Sequence, residues 1–224
     1  MSINVVIDIS HYNDTVNFAK VKEANIVGVI HKATQGVSGI DPKYNDNRKA
    51  ALKEGLLWGA YHFGTGCDGV EQAKHFLSVA APDKETLLVL DFEQNPACPS
   101  MNLVKGHTFE QKPACPSMNL AEAEAFINHV KEATGRYPGF YSGDYIKQCL
   151  ESTKDSLNTL SNCWFWLAHY GNTPTVPSPW PTWTMWQYTD GIHCSEPHDV
   201  YKGFSCDRDR FNGDLDGLYR LWKV

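Results

Sequence analysis

The stretch Leu87-Leu88-Val89-Leu90-Asp91-Phe92-Glu93 sets a continuous apolar run against two carboxylates that a single residue separates. Pro82-Asp83-Lys84 precedes it and Asn95-Pro96 follows, so it reads as a short strand buried on both faces, as in a parallel sheet or an α/β barrel. If the extended backbone persists to Glu93, the two-residue period puts Asp91 and Glu93 on one side, their β-carbons roughly 6 to 7 Å apart. Both carboxyls can then face one substrate. Two close carboxylates in a partly desolvated cleft resist a second negative charge, so one holds its proton near neutral pH while the other stays ionised. Cleavage of a glycosidic bond needs those two states: a proton for the leaving oxygen, and a charge or base beside the sugar ring. A solvated strand end, or one paired with Lys or Arg, is the alternative reading of the same residues.

Upstream of this strand, residues 4–9, 26–31 and 57–63 read as three more strands. A helix over residues 42–54 begins near Pro42 and stops before Gly55. Another over 69–80 carries Val70, Ala73, Phe76 and Leu77 on one stripe. Downstream, Asn119 caps a helix with Phe126, Ile127, Val130 and Ala133 on its inner side, and Gly135 ends it. Strands follow at 137–141, 164–170 and 184–188, with a short helix at 144–150 and an irregular loop of four prolines at 171–181. This recurrence predicts an α/β fold whose loops after the strand C-termini gather on one side. Asp8, His62, Asp91 and Glu93 all fall at such strand ends.

A length of 224 residues suits one domain, residues 1–224. The net charge of -6 argues against nucleic acid as the main partner. No apolar run reaches membrane-spanning length, and Met1 to Asp8 lacks a basic segment followed by a long apolar one, so no membrane partner or signal peptide is expected. The seven cysteines include no Cys-x-x-Cys pair, and His11, His31, His62 and His169 show no tight ligand spacing, so neither a metal nor a cofactor is expected. Cys194 and Cys206 could form a disulfide or remain buried thiols. Residues 92–103 recur at 109–120 with one difference, Asn95 against Lys112. That reads as a tandem duplication in a surface loop, where extra length costs little entropy. It echoes Glu93 as Glu110, and Glu93 is the better candidate because Asp91 and the apolar strand precede it.

Several segments together resemble the family 25 glycoside hydrolases, the Chalaropsis-type lysozymes. They are Val6-Ile7-Asp8-Ile9-Ser10-His11-Tyr12-Asn13, His31-Lys32-Ala33-Thr34-Gln35-Gly36, Gly59-Ala60-Tyr61-His62-Phe63, Leu90-Asp91-Phe92-Glu93, Tyr141-Ser142, Trp166-Leu167-Ala168-His169-Tyr170, Trp186-Gln187-Tyr188 and Cys206-Asp207-Arg208-Asp209-Arg210-Phe211. They arrive in the family's order over nearly the whole chain. The resemblance implies an irregular TIM-like (β/α) barrel with mostly parallel strands, cleaving the β-1,4 bond between N-acetylmuramic acid and N-acetylglucosamine in peptidoglycan at the bacterial cell wall. By position, Glu93 matches the family's general acid, Asp91 its neighbouring catalytic carboxylate, Asp8 the first-strand acid and Asp207 the acid before the C-terminal helix. Asp209 is the alternative to Asp207 for facing the cleft.

The remaining candidates are substrate contacts at strand ends. His62 is either a core histidine or a groove residue tuning Asp91. Tyr61, Tyr141, Trp166, Tyr170, Trp186 and Tyr188 offer flat rings with a polar edge; most are expected in the core, and two or three are expected to stack on sugar. Gln187 is a hydrogen-bonding strand residue within reach of substrate. The expected partner is the glycan strand of peptidoglycan, and the chain is expected to act as a monomer. A non-catalytic peptidoglycan- or chitin-binding module would carry the same polar aromatic cleft.

Overall fold

The computed structural model describes residues 1–96, 116–151, 159–193 and 198–223. In chain order the elements are β1 (Ile3–Ile9), α1 (Phe18–Glu23), β2 (Gly28–Gln35), β3 (Gly39–Ile40), α2 (Tyr44–Lys53), β4 (Leu57–Phe63), α3 (Gly69–Ala80) and β5 (Thr86–Asp91). Then come α4 (Leu120–Thr134), β6 (Gly139–Ser142), α5 (Asp144–Glu151), β7 (Phe165–Ala168) and β8 (Met185–Thr189). The chain ends with β9 (Asp199–Tyr201), β10 (Phe204–Ser205), β11 (Asp207–Phe211) and α6 (Leu215–Trp222).

Strands β1, β2, β4, β5, β6, β7, β8 and β11 pair in that order, and β11 closes the ring onto β1. The ladders from β1 through β8 are parallel, whereas β11 runs antiparallel to both its neighbours. The result is the expected irregular TIM-like barrel of mostly parallel strands. The strands of the ring have two largely buried faces because one fills the barrel and the other lies under helices. On β5, Leu87 and Val89 join the interior cluster while Leu88 and Leu90 join the layer beneath the helices.

The helices begin and stop where local chemistry dictates. Asn119 and Glu122 form a reciprocal capping box at the start of α4, and Gly135 ends it at φ 79°, a left-handed position that glycine occupies without a Cβ penalty. Asp68 caps α3 through Glu71 N. The barrel floor is closed by α6, whose Leu218 and Trp222 lie in the interior cluster. Trp222 Nε1 donates to Trp58 O at 2.9 Å. Gly28 makes that approach possible, since a Cβ there would sit 3.0 Å from Trp222 Cη2. Gly28→Ala is therefore expected to lower unfolding free energy by about 1 to 3 kcal/mol through overpacking, as urea denaturation would show.

The two copies of the repeat divide the work of joining β5 to α4. From the first copy, Phe92 is fully buried and packs on Phe140 and Tyr145 at 5.3 and 4.9 Å between centroids. From the second, Met118 is fully buried, and Ser117 Oγ accepts from Asn95 N at 2.9 Å. Residues 97–115, Glu110 among them, lie outside the described residues, as does Cys194. Cys206 is a buried free thiol.

Candidate active site

Five carboxyls converge at the C-terminal mouth of the barrel. Asp8 ends the inward row of β1, Asp91 ends that of β5, and Asp207 and Asp209 lie on β11. Glu93 lies two residues past Asp91, beyond the end of the strand, yet the backbone there is still held in line. Phe92 N donates to Tyr141 O at 2.9 Å, and Ser142 Oγ donates to Phe92 O at 2.7 Å. With Phe92 turned into the outer core, the period of two returns Glu93 to the Asp91 side. A cavity of about 170 Å³ is lined by Asp8, Asp91, Glu93 and Asp207. Tyr61, Tyr141, Trp166, Tyr170 and Gln187 complete its wall.

Gln187 is the hub of the polar wall. Its Nε2 donates to Asp8 Oδ2 at 2.9 Å, while its Oε1 accepts from Tyr141 OH at 2.8 Å and Tyr170 OH at 3.1 Å. This fixes the amide orientation and points two phenols at the cavity. Tyr170 is 45% exposed and presents a free ring to a sugar face. Trp166 is held from below, its Nε1 donating to Asp209 Oδ1 at 2.7 Å. Asp209 is fully buried, so Asp207 supplies the cleft acid and Asp209 anchors the floor.

Burial dominates the electrostatics. It raises Glu93 from 4.5 to about 7, with the Asp207 charge adding to it. Burial also raises Asp207 to about 6, against a hydrogen bond with Asp8 that favours the charged form. Asp8 is pushed well up by burial and then by the Asp207 and Asp209 charges, and Asp209 by burial against the Trp166 hydrogen bond, with the Asp207 charge adding to it. Asp91 is raised by burial and by the charge of Glu93, while Lys32 pulls the other way. Lys32 favours the charged form of Asp91 against the Glu93 charge, so the two acids titrate as a coupled pair that shares one proton. Asp91 Oδ1 has no hydrogen-bond partner among the described residues, so a buried acceptor is presented to whatever enters. With the proton on Glu93 required, kcat/KM on a soluble glycan is expected to fall about tenfold per pH unit above a midpoint near 7; a pH series checks it.

Two expected contacts lie elsewhere. His62 faces outward from β4 and is fully buried, its Nδ1 2.7 Å from Thr34 Oγ1 and its Nε2 3.2 Å from Gln72 Oε1. It stacks on Phe126, and burial lowers it to about 3. It is a neutral core histidine and not a groove residue. Tyr188 also faces out, accepting from Asn4 Nδ2 at 2.7 Å under the Arg210 guanidinium. Adjacent strand residues point to opposite faces, so Tyr61 and Gln187 take the cleft and their neighbours cannot. The sequence places the second strand at residues 26–31, which leaves Lys32 outside it, whereas β2 runs on to Gln35. A lysine just past the apolar run 26–30 is the signal that could have found it.

The family described as Glycosyl hydrolases family 25 matches residues 7–196. The chain is 31% identical to Lysozyme M1 of Streptomyces globisporus across 96% of this chain and 70% of that protein. It is 30% identical to the N,O-diacetylmuramidase of Chalaropsis sp across 96% of each. The structure superposes on a family 25 lysozyme from Aspergillus fumigatus with a TM-score of 0.76 and 30% identity, covering 100% of both chains.

Proposed function

Because the chain belongs to family 25 of the glycosyl hydrolases, we propose that it hydrolyses the β-1,4 bond between N-acetylmuramic acid and N-acetylglucosamine in bacterial peptidoglycan. The observation that carries this reading is one acid raised to about 7, Glu93, sharing a cavity with Asp91. Glu93 gives its proton to the glycosidic oxygen as the bond to the anomeric carbon breaks. Asp91, with an unpaired oxygen and Lys32 behind it, faces the positive charge that develops on the sugar, directly or through the substrate's acetamido group. Glu93, now ionised, takes a proton from the water that completes hydrolysis. Asp8, Gln187, Tyr141 and Tyr170 form one hydrogen-bonded wall that orients the ring. The protein acts as a monomer on glycan strands at the cell wall, outside the cytoplasm.

Borohydride reduction and mass spectrometry of digested, purified peptidoglycan test the bond assigned. N-acetylmuramic acid at the new reducing end is the expected result. N-acetylglucosamine there would contradict it, and an absence of new ends would favour the non-catalytic binding module.

A further inference from the structure

A second cavity, about 300 Å³ in volume, opens beside the catalytic one, with His11, Lys32, Gln35, Val37, Ile40 and Asp41 in its lining. Lys32 is the partition between the two. It is in register with Tyr61 on the β2–β4 ladder, so both side chains point to one face about one strand spacing, ~4.8 Å, apart. Tyr61 lines the catalytic cavity and Lys32 the second one.

The two cavities differ in charge balance, the charged lining of the catalytic one being acids alone and that of the second one lysine and one acid. Four carboxyls line the catalytic cavity: Asp8, Asp91, Glu93 and Asp207. In the second, the Asp41 carboxylate is engaged by the fold: Oδ2 accepts from His11 N at 2.9 Å and bonds His11 Nδ1 at 2.8 Å, and Oδ1 accepts from Lys43 N at 3.0 Å. What remains is the Lys32 ammonium, with one bond to Gln35 Oε1 at 2.7 Å, and the His11 ring. Val37 and Ile40 form an apolar rim, 48% and 55% exposed. An anionic, partly apolar substituent is repelled by the acids and drawn across the Lys32 partition.

We propose that this second cavity is a subsite for the peptide stem that muramic acid carries on its lactyl ether. The inference rests on the muramidase reading above. Such a stem combines alanyl methyl groups, which match the Val37 and Ile40 rim, with free carboxylates, which match Lys32 and His11. The substrate thereby lies with its sugar over the acids and its peptide beyond the lysine, and the stem contributes to recognition of wall glycan over other acetamido polysaccharides.

The test compares kcat/KM on peptide-bearing glycan strands and on the same strands stripped by an amidase, for the wild type and for Ile40→Glu and Val37→Glu. Both substituted side chains are exposed, so the fold is expected to survive. The wild type is expected to prefer the peptide-bearing strands by about tenfold, equivalent to ~1.4 kcal/mol, and each variant to lose most of that preference by repelling the stem carboxylates. Equal rates of the wild type on both substrates would overturn the subsite. So would variants that lose activity equally on both, as a purely saccharide-binding cavity requires. Failure of the muramidase reading has a different signature: no muramic acid reducing ends from either substrate.

Discussion

Glu93→Gln is expected to lower turnover on peptidoglycan by about 10²- to 10⁴-fold, the usual contribution of a positioned proton donor, while leaving the barrel folded. Gln keeps the shape and loses only the transferable proton. Stability should move in the opposite direction. Burial raises Glu93 from 4.5 to about 7, so between those values the folded state retains a proton that the unfolded chain has released. Stability attributable to this residue therefore falls as pH rises through that window. The variant should match the wild type near pH 4.5 and exceed it by about 2 to 3 kcal/mol at pH 8, a gain readable as a higher Tm. Wild-type turnover in the variant would eliminate the assignment. A uniform Tm loss would show instead that Glu93 is structural.

Asp91→Asn is the second large effect, with an expected loss of about 10²- to 10³-fold in kcat, the scale of removing one preorganised electrostatic group. Its signature differs from that of the first variant. Asn cannot carry the charge that faces the anomeric carbon, but Glu93 can still donate. With the neighbouring carboxylate neutralised, Glu93 ionises more readily, so the alkaline limb of the residual activity should move to lower pH than in the wild type. A loss with an unmoved limb would mean that the two acids do not share a proton.

The parallel part of the barrel was legible because its strands are short apolar runs and its helices carry explicit start and stop residues. The helix read at 69–80 is α3 as found, and Asn119 and Gly135 bound α4 as expected. Strand β11 was not legible. Asp207-Arg208-Asp209-Arg210 has a charge at every position, which defeats any search for apolar alternation. The structure shows why such a strand is tolerated: its acids turn inward to the site, Arg208 Nη1 donates to Asp199 O at 2.8 Å, and Arg210 covers the Trp186 and Tyr188 rings. The outward placing of His62 and Tyr188, by contrast, was available from the sequence. The two-residue period that joins Asp91 to Glu93 separates Tyr61 from His62 and Gln187 from Tyr188.

The fold and the chemistry share one cause. Closing eight strands brings Asp8, Asp91 and Asp207 together from distant parts of the chain, and the aromatic wall that packs around them removes the water that would otherwise let all of them ionise. The desolvation that costs the barrel stability is what keeps a proton available at neutral pH.

The central claim is that Glu93 holds this proton. A ¹³C titration of the carboxyl groups, with the Glu93 signal identified by its loss in Glu93→Gln, measures it directly. The account predicts a midpoint near 7. A Glu93 carboxyl that ionises at its ordinary value of 4.5 would contradict it.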